Sequence, residues 1–177
     1  MATRQLKALG VSVKDSDRMQ ILLLKLQISI IGSSCIYQGE ELGLEDVTDI
    51  PKEKMQDPWG IEFAPTFLGR DTCRTPMVWN KKLPNGGFSR ANKTWLPIAD
   101  KHLNRAAIDS ASDPKSIYNE LSKFLKWRKK QPAMMRANCM LNITGDHKEI
   151  SFERQSDNQT LRCHFDFDTL TASFQEI

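Results

Sequence analysis

Two adjacent glutamates, Glu40 and Glu41, follow the apolar run Cys35-Ile36-Tyr37 in the stretch CIYQGEELG. Paired carboxylates just beyond an apolar segment are raw material for acid/base chemistry. A retaining glycosidase needs its two carboxyls about 5–5.5 Å apart and an inverting one about 6.5–9.5 Å, both facing one substrate. Consecutive residues of a strand point to opposite faces, so Glu40 and Glu41 are not expected to converge. They read instead as one carboxylate accepting backbone or arginine hydrogen bonds at a strand end and one in solvent. His102, His147 and His164 lie far apart with no HxxxH or HxH spacing, so no metal site is expected. No GxSxG elbow and no glycine-rich phosphate loop occurs. A second concentration of useful groups is GRDTCRTPMVWN, with Arg70, Asp71, Arg74 and Trp79. An arginine–carboxylate pair there either clamps a polar ligand or staples its own loop; both readings stand.

The elements that would position these groups change character along the chain. SDRMQILLLKLQISIIG predicts a helix starting at Ser16 or Asp17, with Gln20 as capping-box partner and Gly32 as the stop. Its apolar residues, Ile21 to Leu24, Leu26, Ile28, Ile30 and Ile31, need cover on most sides. Burying them is worth more than about 10 kcal/mol at roughly 1.5–3 kcal/mol each. SCIYQ, residues 34–38, then reads as a short buried strand, which makes an αβ step of an α/β fold. From Leu44 to about Lys115 periodicity fails, and seven of the eight prolines fall there. A loop of that length is functional or hides short elements.

Beyond it, Asp113 and Pro114 open a helix over 114–130 whose stripe is Ile117, Leu121, Phe124 and Leu125, ended by Pro132. The period then drops to two in CMLNIT, EISFERQ, TLRCHFDF and TASFQEI, an antiparallel meander or sandwich. A boundary near residue 136 therefore divides an α/β part, 1–136 with its long loop 44–113, from an all-β part, 137–177. The expected core of the latter unit is Ile117, Leu121, Phe124, Leu125, Ile143, Ile150, Phe152, Leu161 and Phe165.

Composition narrows the class. The 177 residues are 40% hydrophobic and 27% charged, ordinary for a globular chain. A net charge of +3 without aromatic–basic interleaving argues against nucleic acid. No apolar run is long enough to span a membrane, and MATRQLKALGV lacks the apolar core of a signal peptide. Four cysteines with no CxxC fit a reduced, cytoplasmic protein.

The spaced motifs GSSCIYQGEELG, QDPWG and GRDTCRTPMVW resemble the C-terminal part of bacterial α-glucosidases in glycoside hydrolase family 13, near the oligo-1,6-glucosidases. GGFS, WLP and the FLKWRKKQPAM helix continue the likeness, which runs from residue 17 to about 177. Ser34 departs from a frequent proline. The resemblance implies the C-terminal end of a (β/α)8 barrel followed by a small antiparallel β domain. Residues 17–31 would be its seventh helix, SCIYQ its eighth strand, and the 114–130 helix its closure.

The same resemblance implies what is absent. Family members carry an aspartate nucleophile, a glutamate acid/base and an aspartate in an N-H-D motif at strand ends of the barrel. Neither NHD nor GFRxD occurs in this chain, so no catalytic residue is assigned to it and no activity is expected of it alone. Arg74, in R-T-P-M, would face the non-reducing glucose, paired with an acidic residue from the barrel's N-terminal half. Glu53 is a second candidate, facing the leaving-group sugar. Glu40 and Glu41 would hold their loop. No cofactor is implied; the implied partners are an α-glucoside oligosaccharide, an N-terminal barrel fragment, or another copy of the chain. Against this enzyme reading stands a free-standing noncatalytic glycan-binding or interaction module.

Overall fold

A computed structural model of the protein describes Ser12 and residues 15–177. The lead-in read for targeting lies outside the described residues. Six helices are described, α1 (Ser16–Ser29), α2 (Pro58–Phe63), α3 (Asp100–Leu103), α4 (Ala107–Ser112), α5 (Ile117–Arg128) and α6 (Pro132–Met135). Four strands follow, β1 (Cys139–Gly145), β2 (Glu149–Ser156), β3 (Gln159–Asp166) and β4 (Thr171–Glu176). No helix among the described residues is long and apolar enough to cross a membrane.

Contacts divide the chain into two compact units. One is Tyr37–Tyr118; the other joins the described residues up to Ile36 with Asn119–Ile177. This division differs from the boundary expected at residue 136, because the helices at both ends of the α/β part bury their apolar faces on the β strands.

In the second unit the strands form an antiparallel meander, β1-β2-β3-β4. Period two brings Phe152, Leu161, Cys163 and Phe165 to one face, all buried. α1 packs on β3 and β4, and α6 on β2 and β3. From α5, Phe124 and Trp127 meet Phe174 at ring centroid distances of 5.1 and 4.9 Å. Phe165 meets Phe174 edge-on at 5.7 Å and stacks on Phe152 at 5.8 Å. Arg154, buried on β2, donates to the Ser29 carbonyl at the end of α1, tying helix to sheet. Of the expected core, Ile117, Leu121, Phe124, Phe152, Leu161 and Phe165 are buried and Leu125 and Ile150 half-buried. Ile143 is 64% exposed. It lies where Asn142 takes a positive φ and the β1–β2 register shifts between Leu141 and Thr144, a bulge that interrupts the alternation.

Two local expectations fail for reasons of hydrogen bonding. The capping box at Asp17 and Gln20 does not form; Asp15 holds the N-cap position and Gln20 is buried. No strand forms at 34–38, where Ser34 and Cys35 are exposed. A parallel strand draws its backbone bonds from strands beside it. Here a side chain, Gln27 Nε2, donates to the Cys35 carbonyl instead.

The 37–118 unit replaces the expected long loop with short turns around its own core. Val47, Ile50, Met55 and Leu96 form that core, with Ala64, Leu68 and Ala99 packed on it.

Candidate functional site

Two aspartates fasten the middle of the 37–118 unit. Asp57 precedes Pro58, which opens α2 at a position where a missing N–H costs nothing. Its Oδ1 accepts from the Trp59 N–H at 3.2 Å and its Oδ2 from the Arg70 N–H at 2.7 Å. Asp71 answers from the other segment: its Oδ2 accepts from the Asp57 N–H at 2.8 Å and the Gln56 N–H at 2.5 Å. Each carboxylate thus caps the segment that carries the other. The Arg70 N–H, helped by the Trp59 N–H and by the Arg70 guanidinium, holds the Asp57 carboxyl below the usual carboxylate range, against the opposing effect of burial. Two glycines permit the close approach. A Cβ on Gly60 would meet the Leu68 carbonyl oxygen at 2.6 Å, and one on Gly69, whose φ is +67°, would meet the Gly60 nitrogen at 2.8 Å. Of the two readings of Arg70, the loop staple is the one formed: its Nε lies 3.3 Å from Asp57 Oδ2.

Arg74 follows the short turn Asp71–Cys73, with its N–H on the Asp71 carbonyl at 3.0 Å. Cys73 and Thr75 on either side are buried, and Val47 donates to the Thr72 carbonyl at 2.9 Å. Arg74 is half-buried, its backbone is fixed from both sides, and it makes no ion pair among the described residues. Gln38 reaches the carbonyls of Cys73 and Thr75 at 3.5 and 3.4 Å. This links Arg74's segment to the turn that carries the glutamates.

That turn, Glu40–Leu42, is bounded by Gly39 and Gly43, both with positive φ. Glu40 is buried, and its Oε2 accepts from the Tyr37 N–H at 2.9 Å. Glu41 is half-buried in the same turn. The two are neighbours in a tight turn, and Glu40 serves the turn's backbone. Trp79 is 53% exposed, with its N–H on the Gly86 carbonyl at 2.8 Å.

Glu53 sits exposed in the turn Lys52–Lys54, at the rim of a cavity of about 590 Å³. Gln56, Asn85, Thr94 and Trp95 also line that cavity, and Arg74 does not. Of these lining residues, Trp95 belongs to the WLP motif and Asn85 to none of the motifs read from the sequence. Another pairing hidden from the sequence is Ser151 with His164, cross-strand neighbours whose Oγ and Nδ1 are 2.8 Å apart. Glu149 lies 3.9 Å from the other ring nitrogen and is 58% exposed, so this is a surface pair on the sheet.

A family model described as Alpha amylase, catalytic domain, matches residues 2–137. A probable alpha-glucosidase of Rhizobium meliloti (strain 1021) is 41% identical over 161 residues, covering 91% of this chain and 28% of that protein. The glucan 1,6-alpha-glucosidase of Streptococcus dysgalactiae subsp. equisimilis is 31% identical over 165 residues, covering 83% of this chain and 29% of its own length. Among solved structures, the alpha-glucosyl transfer enzyme XgtA superposes with a TM-score of 0.78 at 36% identity, over 85% of this chain and 28% of that one. The chain spans less than a third of the length of these relatives. With the QDPWG–GRD clasp and the RTPM segment in place, this chain belongs to the α-amylase family of glycoside hydrolases.

Proposed function

We propose that the chain is the C-terminal share of an exo-acting, retaining α-glucosidase that cleaves α-glucosidic bonds of small sugars, and that it turns over nothing alone. The observation that carries this reading is Arg74: its backbone is fixed by buried neighbours, yet its charge has no ion-pair partner among the described residues. A half-buried arginine on a fixed backbone suits a carboxylate supplied from elsewhere. In this reading an acidic residue of the N-terminal part pairs with Arg74 and closes the pocket behind one terminal glucose. Glu53 faces the leaving-group sugar. The nucleophile and the acid/base come from the N-terminal part, since their motifs are absent here; without them covalent and general acid catalysis are lost together. The partner is that N-terminal part, in one enzyme or as a second chain, or else another copy of this chain. Four free cysteines suit a cytoplasmic setting.

The test is an aryl α-glucoside assay on the chain alone and then with an N-terminal barrel portion added. We expect background rates alone, and activity on mixing that Arg74→Ala abolishes. Turnover by the chain alone that Arg74→Ala removes would overturn the proposal. The alternative of a noncatalytic glycan-binding module is favoured by one observation, that 37–118 has its own core and clasp. Failure to gain activity with the N-terminal part, together with binding of sugar, would select it.

A further inference from the structure

Three residues in succession carry positive φ, 51° at Asn85, 60° at Gly86 and 76° at Gly87. Glycine adopts that backbone freely, and asparagine more readily than most residues. Gly86 has a second reason, since a Cβ on it would meet the Val78 side chain at 3.1 Å. The turn thus selects Asn-Gly, and this is the one Asn-Gly pair in the chain. A reactive arrangement comes with it. Because the residue after the asparagine has no side chain, nothing hinders its backbone nitrogen from attacking the Asn85 side-chain carbonyl carbon.

The fold restrains that attack in two ways. Ring closure needs the Gly86 nitrogen on the same side of the Asn85 Cα–C bond as Cβ, whereas the observed ψ of 34° sets it nearly opposite. The Asn85 Nδ2, which must leave, donates to the Ser89 and Ala91 carbonyls at 3.2 and 2.6 Å. Rotating Asn85 into the reactive conformation moves Gly86, whose carbonyl accepts from the Trp79 and Asn80 N–H groups at 2.8 and 2.9 Å. Reaction therefore requires the turn to open first.

We infer that Asn85–Gly86 is a self-modification site guarded by its own turn, which converts an opening of residues 79–91 into a permanent change. The Gly86 nitrogen bonds to Asn85 Cγ and gives up its proton, the Cγ–Nδ2 bond breaks, and Nδ2 leaves as ammonia. Water then opens the cyclic imide. Attack at one carbonyl leaves aspartate, and attack at the other leaves isoaspartate, with the backbone running through the side chain. One water is consumed and one ammonia released. Aspartate puts an acceptor where an amide donated to two carbonyls, and isoaspartate adds a backbone atom to the turn. Of the charged groups lining the cavity beside Asn85, Lys54 and Lys93 attract the new carboxylate and Glu53 repels it. None of them restores the two lost bonds.

The experiment incubates the whole chain, native and in guanidinium chloride, at one mildly alkaline pH. Peptide mass mapping and an isoaspartate-specific methyl-transfer assay follow each asparagine. Asn80 and Asn92, each followed by lysine, are internal controls. We expect Asn85 to convert faster than either control in denaturant, and at least about ten-fold more slowly in the native chain. Asn85→Gly, which keeps the freedom for positive φ, should remove the methyl-accepting signal. In Asn85→Asp, amide exchange at Trp79, Asn80 and Phe88, all bonded within this turn, should rise at least about ten-fold while β2 and β3 stay protected. Equal rates for Asn85 in the native and denatured chain would overturn the guard. Conversion of Asn85 no faster than the controls in denaturant would overturn the site, and unchanged exchange in Asn85→Asp would overturn the permanence of the change.

Discussion

The two units of this chain reach stability by different routes. The sheet unit is apolar in design: a period-two pattern, an aromatic stack of Phe124, Trp127, Phe165 and Phe174, and helices laid on one face. The 37–118 unit has a small apolar core and relies on buried carboxylates that serve backbone N–H groups, with glycines at the crossings. Its functional candidates, Arg74 and Glu53, sit on short turns beside those carboxylates, closed by backbone bonds from Arg74 to the Asp71 carbonyl and from Met55 to the Lys52 carbonyl. Regular structure repeats its reason at every second or fourth residue. A clasp keeps its reason in two side chains far apart in sequence.

The comparison breaks most visibly in the sheet unit. Phe165 is fully buried between Phe152 and Phe174. Phe165→Ala should destabilise that unit by about 3–5 kcal/mol, the cost of deleting a core aromatic and leaving its cavity. Cys163 on the same strand is the reporter. Burial pushes its thiol up to about 12, so it should resist alkylation in the native state and become reactive in the variant. Equal protection of Cys163 in both proteins would refute the central place given to the aromatic stack.

Asp71 is the matching test in the 37–118 unit. Removing its two charge-assisted bonds in Asp71→Ala should cost on the order of 3 kcal/mol, at about 1.5 kcal/mol each. Cys73, buried two residues away, should then become accessible to a thiol reagent. Amide exchange would show whether the loss spreads across 52–75, as the reciprocal clasp requires, or stays at Gln56 and Asp57.

This contrast explains how far the sequence could be read. The α5 stripe and four strands were legible because periodicity is a local signal, and the family motifs were legible because their order is distinctive. The division into units was not, since it depends on which surface α1 finds to cover it. The segment 34–38 looks like a buried strand because its middle, Cys35-Ile36-Tyr37, is apolar, whereas strand status depends on neighbours that composition does not report. Asp57 and Asp71 could not be told from ligand-binding residues, because fourteen positions separate two groups whose roles only make sense together. The cavity beside Glu53 gathers residues from three separate segments, and no local pattern says that they meet.

Acid should sharpen the difference further. The carboxyls of Asp57, Asp146 and Asp166 are all held low, chiefly by backbone N–H groups of Arg70, of Lys148 and of Thr169 respectively. A carboxyl lowered in the folded state contributes stability that is fully present above its unfolded value of 3.8 and is lost as pH falls below it. In the sheet, Asp146 and Asp166 each close one hairpin, so protonation should fray two turns and leave the strands paired. Protonating Asp57 should instead loosen the crossing of α2 with Gly69 and Arg70. Amide exchange followed below pH 4 should therefore rise across 57–71 before it rises within β2 and β3. The reverse order would remove the distinction between clasp and sheet.

The smallest effect belongs to Ile143, the residue for which period two misleads. It is apolar, β-branched and within a strand, so pattern alone places it in the core. The bulge at Asn142 and the edge position of β1 leave it 64% exposed, and the Asn142 side chain turns to Glu153 at 2.6 Å. Ile143→Ser then removes little buried area, and its loss of strand propensity falls on an edge. The expected change in unfolding free energy is within about 0.5 kcal/mol, the range of surface substitutions. Ile143→Ala at the same site separates the causes, since it lowers strand propensity without adding a hydroxyl. A loss of about 2 kcal/mol or more in both variants would mean that Ile143 is covered in solution. Its cover would then be another strand at the β1 edge, which a concentration-dependent unfolding midpoint would reveal.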